Sequence, residues 1–206
     1  MPPLVQNEVA AVILAGGKSR RMRGTDKSAL RIDNQSLLQR ITNLMQNEFK
    51  TVLLNTNQQA DINIPNTPRI QDLVPDGGPL EGITSTMAWL QANKPDCEWL
   101  FSVSVDCPFL PKNLLQPFAD CLAANPQVDI VLARSGGQEH FVIGLWSLRL
   151  AESARHFLDS GERAVKKFIS AQRVACVDFS FEGIDPFFNI NTPADYEYAQ
   201  AATTKA

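Results

Sequence analysis

The sequence has few of the residues that build zinc sites or disulfide frameworks. Its 206 residues include four cysteines and two histidines. The cysteines are widely separated, with no Cys-x-x-Cys pair, and the histidines are not clustered. The sequence therefore argues against both kinds of site. Scattered thiols in a chain that shows no export signal are typical of the reducing cytoplasm, where we expect this protein to be located.

Long hydrophobic runs are also missing. The apolar run near the N-terminus, residues 9–15, has seven residues, whereas a helix that spans a bilayer needs roughly eighteen or more. The segment before it contains Glu8 and neither Lys nor Arg, unlike a signal peptide. The run predicts a buried strand, and we expect no association with a membrane.

The chain as a whole has no excess of positive charge, since its net charge is −3. A general nucleic-acid binder presents a broad basic surface, so we expect no nucleic-acid partner. The cations are instead concentrated in one loop, where five occur within ten residues: Lys18, Arg20, Arg21, Arg23 and Lys27. This concentration favours a small polyanion as the ligand.

The basic loop follows the first apolar run and opens with Gly16 and Gly17. Without a Cβ, these residues let backbone N–H groups approach an anion or a base edge closely. A Walker loop would need glycine at position 12, which is Val12, and the residues after Gly16 do not supply a dinucleotide fingerprint. The loop is a third type and suits a nucleoside triphosphate. Its spacing alone leaves open a basic loop that has no ligand.

Short apolar runs alternate with segments of helical period along the chain. This alternation is typical of a sheet with helices on its faces, and it predicts an α/β fold with a mostly parallel central sheet. The length suits a single domain, residues 1–206. We expect a nucleotide-binding half that ends at about residue 110 and an acceptor-binding half from about residue 111 onwards.

Local signals predict individual elements. Ser36 and Gln39 form a capping box at the start of a helix. Pro117 predicts a break or kink in a helix, because proline removes a hydrogen bond from a helix interior. Residues 128–133, 141–146 and 174–179 are predicted to be strands. Residues 99–105 alternate apolar residues with serine and predict a further strand, which puts Asp106 at its carboxyl end, where ligands of open α/β sheets bind.

The order of motifs resembles that of one nucleotidyltransferase family. The loop reads Leu-Ala-Gly-Gly-x-x-x-Arg-Met-x-Gly-x-Asp-Lys over residues 14–27. The later motifs, in chain order, are Asn55, Asp72, Gly78-Pro79-Leu80-x-Gly82, Val105-Asp106-Cys107-Pro108, Gly161-Glu162-Arg163 and Asn189-Ile190-Asn191-Thr192-Pro193. Together they resemble the molybdenum cofactor guanylyltransferases. The resemblance implies a three-layer Rossmann-like nucleotidyltransferase fold. It also implies transfer of GMP from GTP to the terminal phosphate of Mo-molybdopterin, with release of pyrophosphate.

The resemblance implies roles for individual side chains. Lys27 and Arg21 are expected to neutralise the triphosphate, and Asp106 to bind Mg²⁺, which typically takes one or two protein carboxylates. For Asp106, a helix cap or turn is the alternative. Catalytic residues are thus expected at Arg21, Lys27 and Asp106. The residues expected to bind substrate are Leu14, Ala15, Gly16, Gly17, Lys27, Asn55, Asp72, Gly78, Asp106, Asn189 and Asn191.

The same resemblance divides these residues between the substrates. Leu14, Ala15 and Gly16 should line the purine pocket, with polar contacts from Asn55 and Asp72. A carboxylate can accept hydrogen bonds from the N1–H and N2–H₂ edge of guanine, but whether Asp72 contacts base or ribose stays open.

The remaining predicted contacts lie on the phosphate and acceptor side. The turn at Gly78 enters a helix whose N-terminus suits a phosphate. Asn189 and Asn191 are expected to face the acceptor, or else to cap the end of a strand. His140 precedes Phe141 where the family would show proline, and we expect it to be a half-buried structural histidine.

Two other functions remain possible at this point. One is a molybdopterin cytidylyltransferase that uses CTP, although the wording of the loop and the Asn-Ile-Asn-Thr-Pro motif favour guanine. The other is a non-catalytic sensor that binds a nucleotide and signals to a partner. The resemblance implies hand-over from other molybdenum-cofactor assembly proteins, and we expect a monomer.

Overall fold

Strand and helix alternate along the chain and build one central sheet of seven strands. The computed structural model describes residues 8–16, 27–57, 64–75 and 77–203. In these residues the strands are β1 (Val9–Leu14), β2 (Arg31–Ile32), β3 (Gln35–Ser36), β4 (Thr51–Asn55), β5 (Arg69–Ile70), β6 (Trp99–Ser104), β7 (Ile130–Ser135), β8 (Gln138–Ser147) and β9 (Val174–Phe179). The sheet has the order β5-β4-β1-β6-β8-β7-β9, and β2 pairs with β3 separately. Within the sheet β8 runs antiparallel to both neighbours and the other pairs are parallel, so the predicted mostly parallel sheet is confirmed.

The helices in the described residues are α1 (Leu37–Glu48), α2 (Gly78–Asn93), α3 (Leu115–Ala124), α4 (Ala151–Asp159), α5 (Val165–Ile169) and α6 (Pro193–Thr203). The predicted capping box at α1 is confirmed, since Oγ of Ser36 accepts from the backbone N of Gln39 at 3.1 Å. Thr192 and Asp195 hold the start of α6 in a similar way. Local side-chain chemistry therefore sets both helix starts.

Two hydrophobic cores lie on opposite faces of the sheet and make the fold three-layered. β1 shows the division, because alternate residues point to opposite faces. Ala11 and Ile13 belong to the core that holds α1 and α3, whereas Ala10 and Val12 belong to the core that holds α2 and α4. All six residues of β1 are buried. The strand that leads into the basic loop is thus at the centre of the molecule.

Two local predictions need correction. The break predicted at Pro117 is wrong, because α3 begins at Leu115 and the proline falls in the first turn, where its backbone nitrogen needs no helical acceptor. The strand predicted from residue 141 begins earlier, at Gln138. Gly136 and Gly137 have φ of +54° and +78°, which closes a tight hairpin between β7 and β8.

No helix in the described part of the chain is long and apolar enough to cross a membrane. The four cysteines all lie in the described residues, and each is a free thiol. Cys97 and Cys107 are buried, whereas Cys121 and Cys176 are half-buried.

Candidate active site

The carboxyl ends of three neighbouring parallel strands meet at one edge of the sheet. β1 lies between β4 and β6, and hydrogen bonds continue past the strand ends. The backbone N of Ala15 donates to the carbonyl of Asn55 at 2.9 Å, and that of Val105 donates to the carbonyl of Leu14 at 3.1 Å. Leu14 and Ala15 are buried, whereas Gly16 is exposed at the edge. Ligands of open α/β sheets bind beyond such strand ends.

An ion pair lies beyond the end of β6. Nζ of Lys27 donates to Oδ2 of Asp106 at 3.1 Å and to Oδ1 of Asn191 at 2.7 Å. The exposed fractions of the Lys27 and Asp106 side chains are 17% and 16%, so the pair is largely shielded from water and its attraction is strengthened. The fold thus brings together three of the residues that the sequence predicted.

The segment that carries Asn191 is held against Asp106. The backbone N of Ile190 donates to the carbonyl of Asp106 at 2.9 Å, and Sγ of Cys107 donates to Oδ1 of Asn189 at 2.8 Å. Burial above all, and then the neighbouring carboxylate of Asp106, raise the pKa of the Cys107 thiol. The thiol therefore keeps the proton that it donates at neutral pH. Both asparagines therefore lie close to Asp106. The hydrogen bond from the Cys107 thiol to Asn189 was not apparent from the sequence motif.

A second polar cluster lies beyond β4 and β5. Nδ2 of Asn55 donates to Oδ1 of Asp72 at 2.8 Å, and Nδ2 of Asn57 donates to Oδ2 of Asp72 at 2.6 Å. The backbone N of Asp72 donates in return to Oδ1 of Asn57 at 2.9 Å. Each carboxylate oxygen can accept a further hydrogen bond. Asp72 is therefore fixed in place and still able to bind a ligand; Asn57 belongs to none of the sequence motifs and was missed.

The N-terminal turn of α2 packs directly against this cluster. A Cβ on Gly82 would lie 2.3 Å from Oδ1 of Asn55 and 3.0 Å from a methyl group of Leu14. Glycine is thus required for this approach. Gly78 has φ of +73°, a conformation that glycine adopts without strain. Its predicted contact with substrate stays a prediction.

A fully buried carboxylate in the same helix ties the loop after β5 to α4. Glu81 has an exposed side-chain fraction of 0%, and it accepts hydrogen bonds from Oγ of Ser85 at 2.9 Å, the backbone N of Val74 at 3.3 Å and the guanidinium of Arg155. Burial by itself raises the pKa of Glu81, but hydrogen bonds from Arg155 and Ser85 outweigh it and leave that pKa below 4.5. Glu81, paired with Arg155, therefore holds the loop that carries Asp72, because the backbone N of Val74 in that loop donates to its carboxylate. Neither Glu81 nor Arg155 was singled out from the sequence.

A serine, a histidine and an aspartate meet at the end of β7, at the same edge of the sheet; Ser135 is the last residue of β7 and His140 lies on β8. Oγ of Ser135 lies 2.7 Å from Nε2 of His140 and 2.8 Å from each carboxylate oxygen of Asp185. The His140 ring packs on Phe187, with ring centroids 4.9 Å apart. Burial lowers the pKa of His140, although Asp185 opposes the shift. His140 is half-buried, as the sequence led us to expect.

Some predicted residues lie outside the described residues. Among them are Gly17 and Arg21, together with the other cations of the loop, Lys18, Arg20 and Arg23. Their roles in binding the triphosphate stay predictions.

The donors around Asp106 suit a hard divalent cation. They are oxygens, namely the carboxylate of Asp106 and the nearby amide oxygen of Asn191. Among the described residues no group of three or more His, Cys, Asp or Glu comes together for a metal. Mg²⁺ does not require such a cage, because it binds through one or two carboxylates and completes its octahedron with substrate phosphates and water. The chemistry of these donors therefore fits a divalent cation such as magnesium, and the role of Asp106 as its ligand stays a prediction.

Sequence relatives cover almost the whole chain. A molybdenum cofactor guanylyltransferase from Rhodopseudomonas palustris (strain BisB5) is 38% identical over 204 residues, which cover 97% of this chain and 96% of the relative. One from Bradyrhizobium sp. (strain ORS 278) is 38% identical over 196 residues, which cover 93% of this chain and 92% of the relative.

Solved structures share the fold. The molybdopterin-guanine dinucleotide biosynthesis protein A of Archaeoglobus fulgidus superposes with a TM-score of 0.72 at 18% identity and covers 96% of this chain and 100% of its own. The Mycobacterium tuberculosis protein Rv0371C, solved in complex with manganese, superposes with a TM-score of 0.67 at 17% identity. The match covers 94% of this chain and 98% of that protein. The model of the MobA-like NTP transferase domain matches residues 11–176. With this match and these full-length relatives, the chain belongs to the MobA-like NTP transferases, the nucleotidyltransferase family that includes the molybdenum cofactor guanylyltransferases.

Proposed function

We propose that the protein transfers GMP from GTP to the terminal phosphate of Mo-molybdopterin, releasing pyrophosphate and forming the molybdopterin guanine dinucleotide cofactor. The observation that carries this proposal is the meeting of Lys27, Asp106 and Asn191 at the carboxyl edge of the sheet. The names of relatives that match almost the full length of the chain support guanine as the base.

The reaction joins two anionic partners, so positioning and charge control its rate. An ionised phosphate of the pterin attacks the α-phosphorus of GTP in line with the departing pyrophosphate. No side chain has to act as a nucleophile, because the attacking oxygen belongs to the substrate. Catalysis therefore rests on cations and on alignment.

Lys27 and Asp106 divide the electrostatic work. Lys27 is a compact ammonium that suits phosphate oxygens, and Asn191 restrains the position of its Nζ. Mg²⁺, when bound through Asp106, would neutralise phosphate charge and orient the triphosphate. We assign Arg21 as a further cation for the triphosphate, on the strength of its place in the loop motif.

Base and acceptor are assigned to opposite sides of the β1 end. Asn55 and Asp72 are assigned the polar contacts to GTP next to the backbone of residues 14–16. The lone pairs of Asp72 can accept from the donors on the edge of guanine, which supports this assignment. Asn189 and Asn191, across β1 from them, are assigned to the acceptor phosphate.

We also propose that residues 1–206 form a single domain that acts as a monomer in the cytoplasm. A single domain is supported by the seven-stranded sheet, which runs through the nucleotide-binding and acceptor-binding halves. Delivery of the pterin by another molybdenum-cofactor assembly protein fits this role. Sedimentation of the purified protein would test the monomer.

The experiment that tests the function is a nucleotide panel. Purified protein, Mg²⁺ and molybdopterin-loaded acceptor are incubated separately with GTP, CTP, ATP and UTP, and dinucleotide and pyrophosphate are measured. We expect the dinucleotide to form with GTP and not with the other three nucleotides. Product from CTP alone would identify a cytidylyltransferase, and GTP binding without turnover would identify a sensor, so either result contradicts the proposal.

A further inference from the structure

The segment that carries Asn189 and Asn191 is fastened where it begins as well as at Asp106. Asp185 provides the first attachment: its carboxylate accepts from Oγ of Ser135, as described above, and its Oδ1 also accepts from the backbone N of Phe187 at 2.8 Å. One side chain thus shapes the turn into the segment and ties that turn to β7.

The direction of the hydrogen bonds follows from counting protons. A serine hydroxyl has one hydrogen, and a carboxylate can only accept, so Ser135 donates to Asp185. Nε2 of His140 must then carry the hydrogen that points to Ser135. In a hydrolytic triad the histidine accepts from the serine and lies between it and the acid. Here the serine is in the middle, so the cluster has the geometry of a support and not of a nucleophile.

The far end of the same segment reaches the candidate active site. Its contacts there are the hydrogen bonds of Asn189 with Cys107, of Ile190 with Asp106 and of Asn191 with Lys27. Between the two attachments, Phe187 is buried, with an exposed fraction of 1%. The segment therefore bridges β7 and the end of β6 around one buried ring.

We propose that Asp185, held by Ser135, which is in turn hydrogen-bonded to His140, is a positioning residue that sets how Asn189 and Asn191 lie against Asp106 during transfer. This role rests on the function proposed above. Without the tie, the acceptor side of the site loses its alignment, whereas Asn55 and Asp72 on the other side of β1 are not touched. We therefore expect a higher KM for the pterin acceptor and a lower kcat, with little change in the KM for GTP.

The Cys107 thiol offers a readout that needs no substrate. It is buried, with an exposed fraction of 0%, and it donates to Asn189, so it should become reactive when the segment moves away. The Ser135→Ala and Asp185→Ala variants are treated with a thiol reagent, and labelling of each cysteine is followed by peptide mass spectrometry. Labelling of Cys107 is expected to be about tenfold faster than in the wild type, since each change removes a charge-assisted hydrogen bond. Labelling of buried Cys97, in the other core, should stay slow.

A matched control is available on the neighbouring strand. Asp178 on β9 forms a hydrogen-bonded ion pair with Arg134 on β7, with Nε and Oδ1 2.6 Å apart. Within the described residues it makes no side-chain hydrogen bond to the segment that carries Asn189 and Asn191. Like Asp185, Asp178 is a carboxylate that ties another part of the chain to β7. In the Asp178→Ala variant, labelling of Cys107 should match that in the wild type.

The results separate this inference from the proposed function. Faster labelling confined to Cys107, together with the expected shift in acceptor kinetics, supports the positioning role. Unchanged labelling of Cys107 in both variants overturns the positioning role. So does a variant in which Cys107 is labelled faster but the KM for the pterin acceptor and the kcat equal those of the wild type. If Asp185→Ala exposes Cys97 as well, Ser135→Ala, which removes a single oxygen atom, decides by the same criteria. A wild-type protein that forms no dinucleotide overturns the proposed function, whereas the labelling still measures how the segment is held.

Discussion

Nζ of Lys27 lies 3.1 Å from Oδ2 of Asp106, so the cation assigned to the triphosphate and the anion assigned to the metal are direct partners. Both side chains are more than four-fifths shielded from solvent, and in such surroundings an unpaired charge is costly. The loop that follows β1 and the residue that follows β6 are thereby linked across the end of the central strands. Removal of either partner leaves the other charge unpaired, but both side chains keep some contact with water because they lie at the rim of the sheet and outside both cores. We therefore expect transfer to be lost while the protein stays folded.

Asp106→Asn should abolish transfer in a protein that remains folded. The amide keeps the shape of the side chain but removes the negative charge that anchors the metal, and a loss of about 10²-fold or more in kcat is expected for a group of this kind. Dinucleotide formation measures the loss, and circular dichroism checks the fold. Asp178→Asn, at an exposed carboxylate, is the control and should keep full activity. Normal pyrophosphate release by Asp106→Asn in the complete reaction would contradict the assignment.

Lys27→Ala should lose transfer to a similar degree, and Lys27→Arg should not restore it. A single ammonium nitrogen meets both Asp106 and Asn191, at 3.1 and 2.7 Å, whereas a guanidinium is a wide planar fork and does not replace a point charge. The kcat of both variants would be compared with that of Lys112→Ala, a change at an exposed lysine. Wild-type kcat in Lys27→Arg would show that charge alone, without the lysine geometry, is sufficient.

Gly82→Ala should weaken the use of GTP by displacing Asn55. The added Cβ would lie 2.3 Å from Oδ1 of that side chain, so α2 and the Asn55–Asp72 cluster must separate. We expect the KM for GTP to rise about tenfold and the free energy of unfolding to fall by about 1–3 kcal/mol, as for other overpacked sites. Ala88→Ser adds one atom at an exposed position of the same helix and should change neither quantity. An unaltered KM in Gly82→Ala would argue against a role for Asn55 in GTP binding.

Glu81→Gln should destabilise the protein at neutral pH by about 3 kcal/mol, because it leaves the guanidinium of Arg155 without its buried carboxylate. Urea unfolding measures the change. The double variant Glu81→Leu/Arg155→Leu should be more stable than either single leucine variant, since it removes both charges together. If the loss of unfolding free energy in the double variant equals the sum of the losses in the two single leucine variants, Glu81 and Arg155 do not stabilise each other.

The contribution of Glu81 should also depend on pH in a defined direction. Its pKa in the folded protein is lower than 4.5, so the folded protein holds this proton less tightly than the unfolded chain. The stabilisation by Glu81 is therefore complete above about pH 4.5 and is lost as the pH falls through the pKa of Glu81 in the folded protein. The stability difference between wild type and Glu81→Gln should narrow as the pH is lowered from 5 towards roughly 3. A difference that stays constant over this range would contradict the assigned ionisation.

Short-range patterns determined much of the architecture. Strand β9 was predicted at its observed bounds, residues 174–179, and the Ser36 capping box was readable because both partners lie within one helical turn. The position of Asp106 after an apolar run was enough to predict its place at the edge of the sheet. The error at Pro117 arose because the start of α3 is decided by the preceding loop, which local helical period does not describe.

The tertiary structure decided which distant groups meet. Glu81 and Arg155 are 74 positions apart, and Ser135 and Asp185 are 50 positions apart. No periodicity joins such pairs, since their contact depends on the order of strands and on β8 entering the sheet between β6 and β7. The amino-acid sequence by itself determined the alternation of strands and helices, many of their positions, and the motif that places a carboxylate at a strand end. Packing alone decided the supports of that site, because a hydrogen bond between remote side chains exists only once the sheet has brought their backbones together.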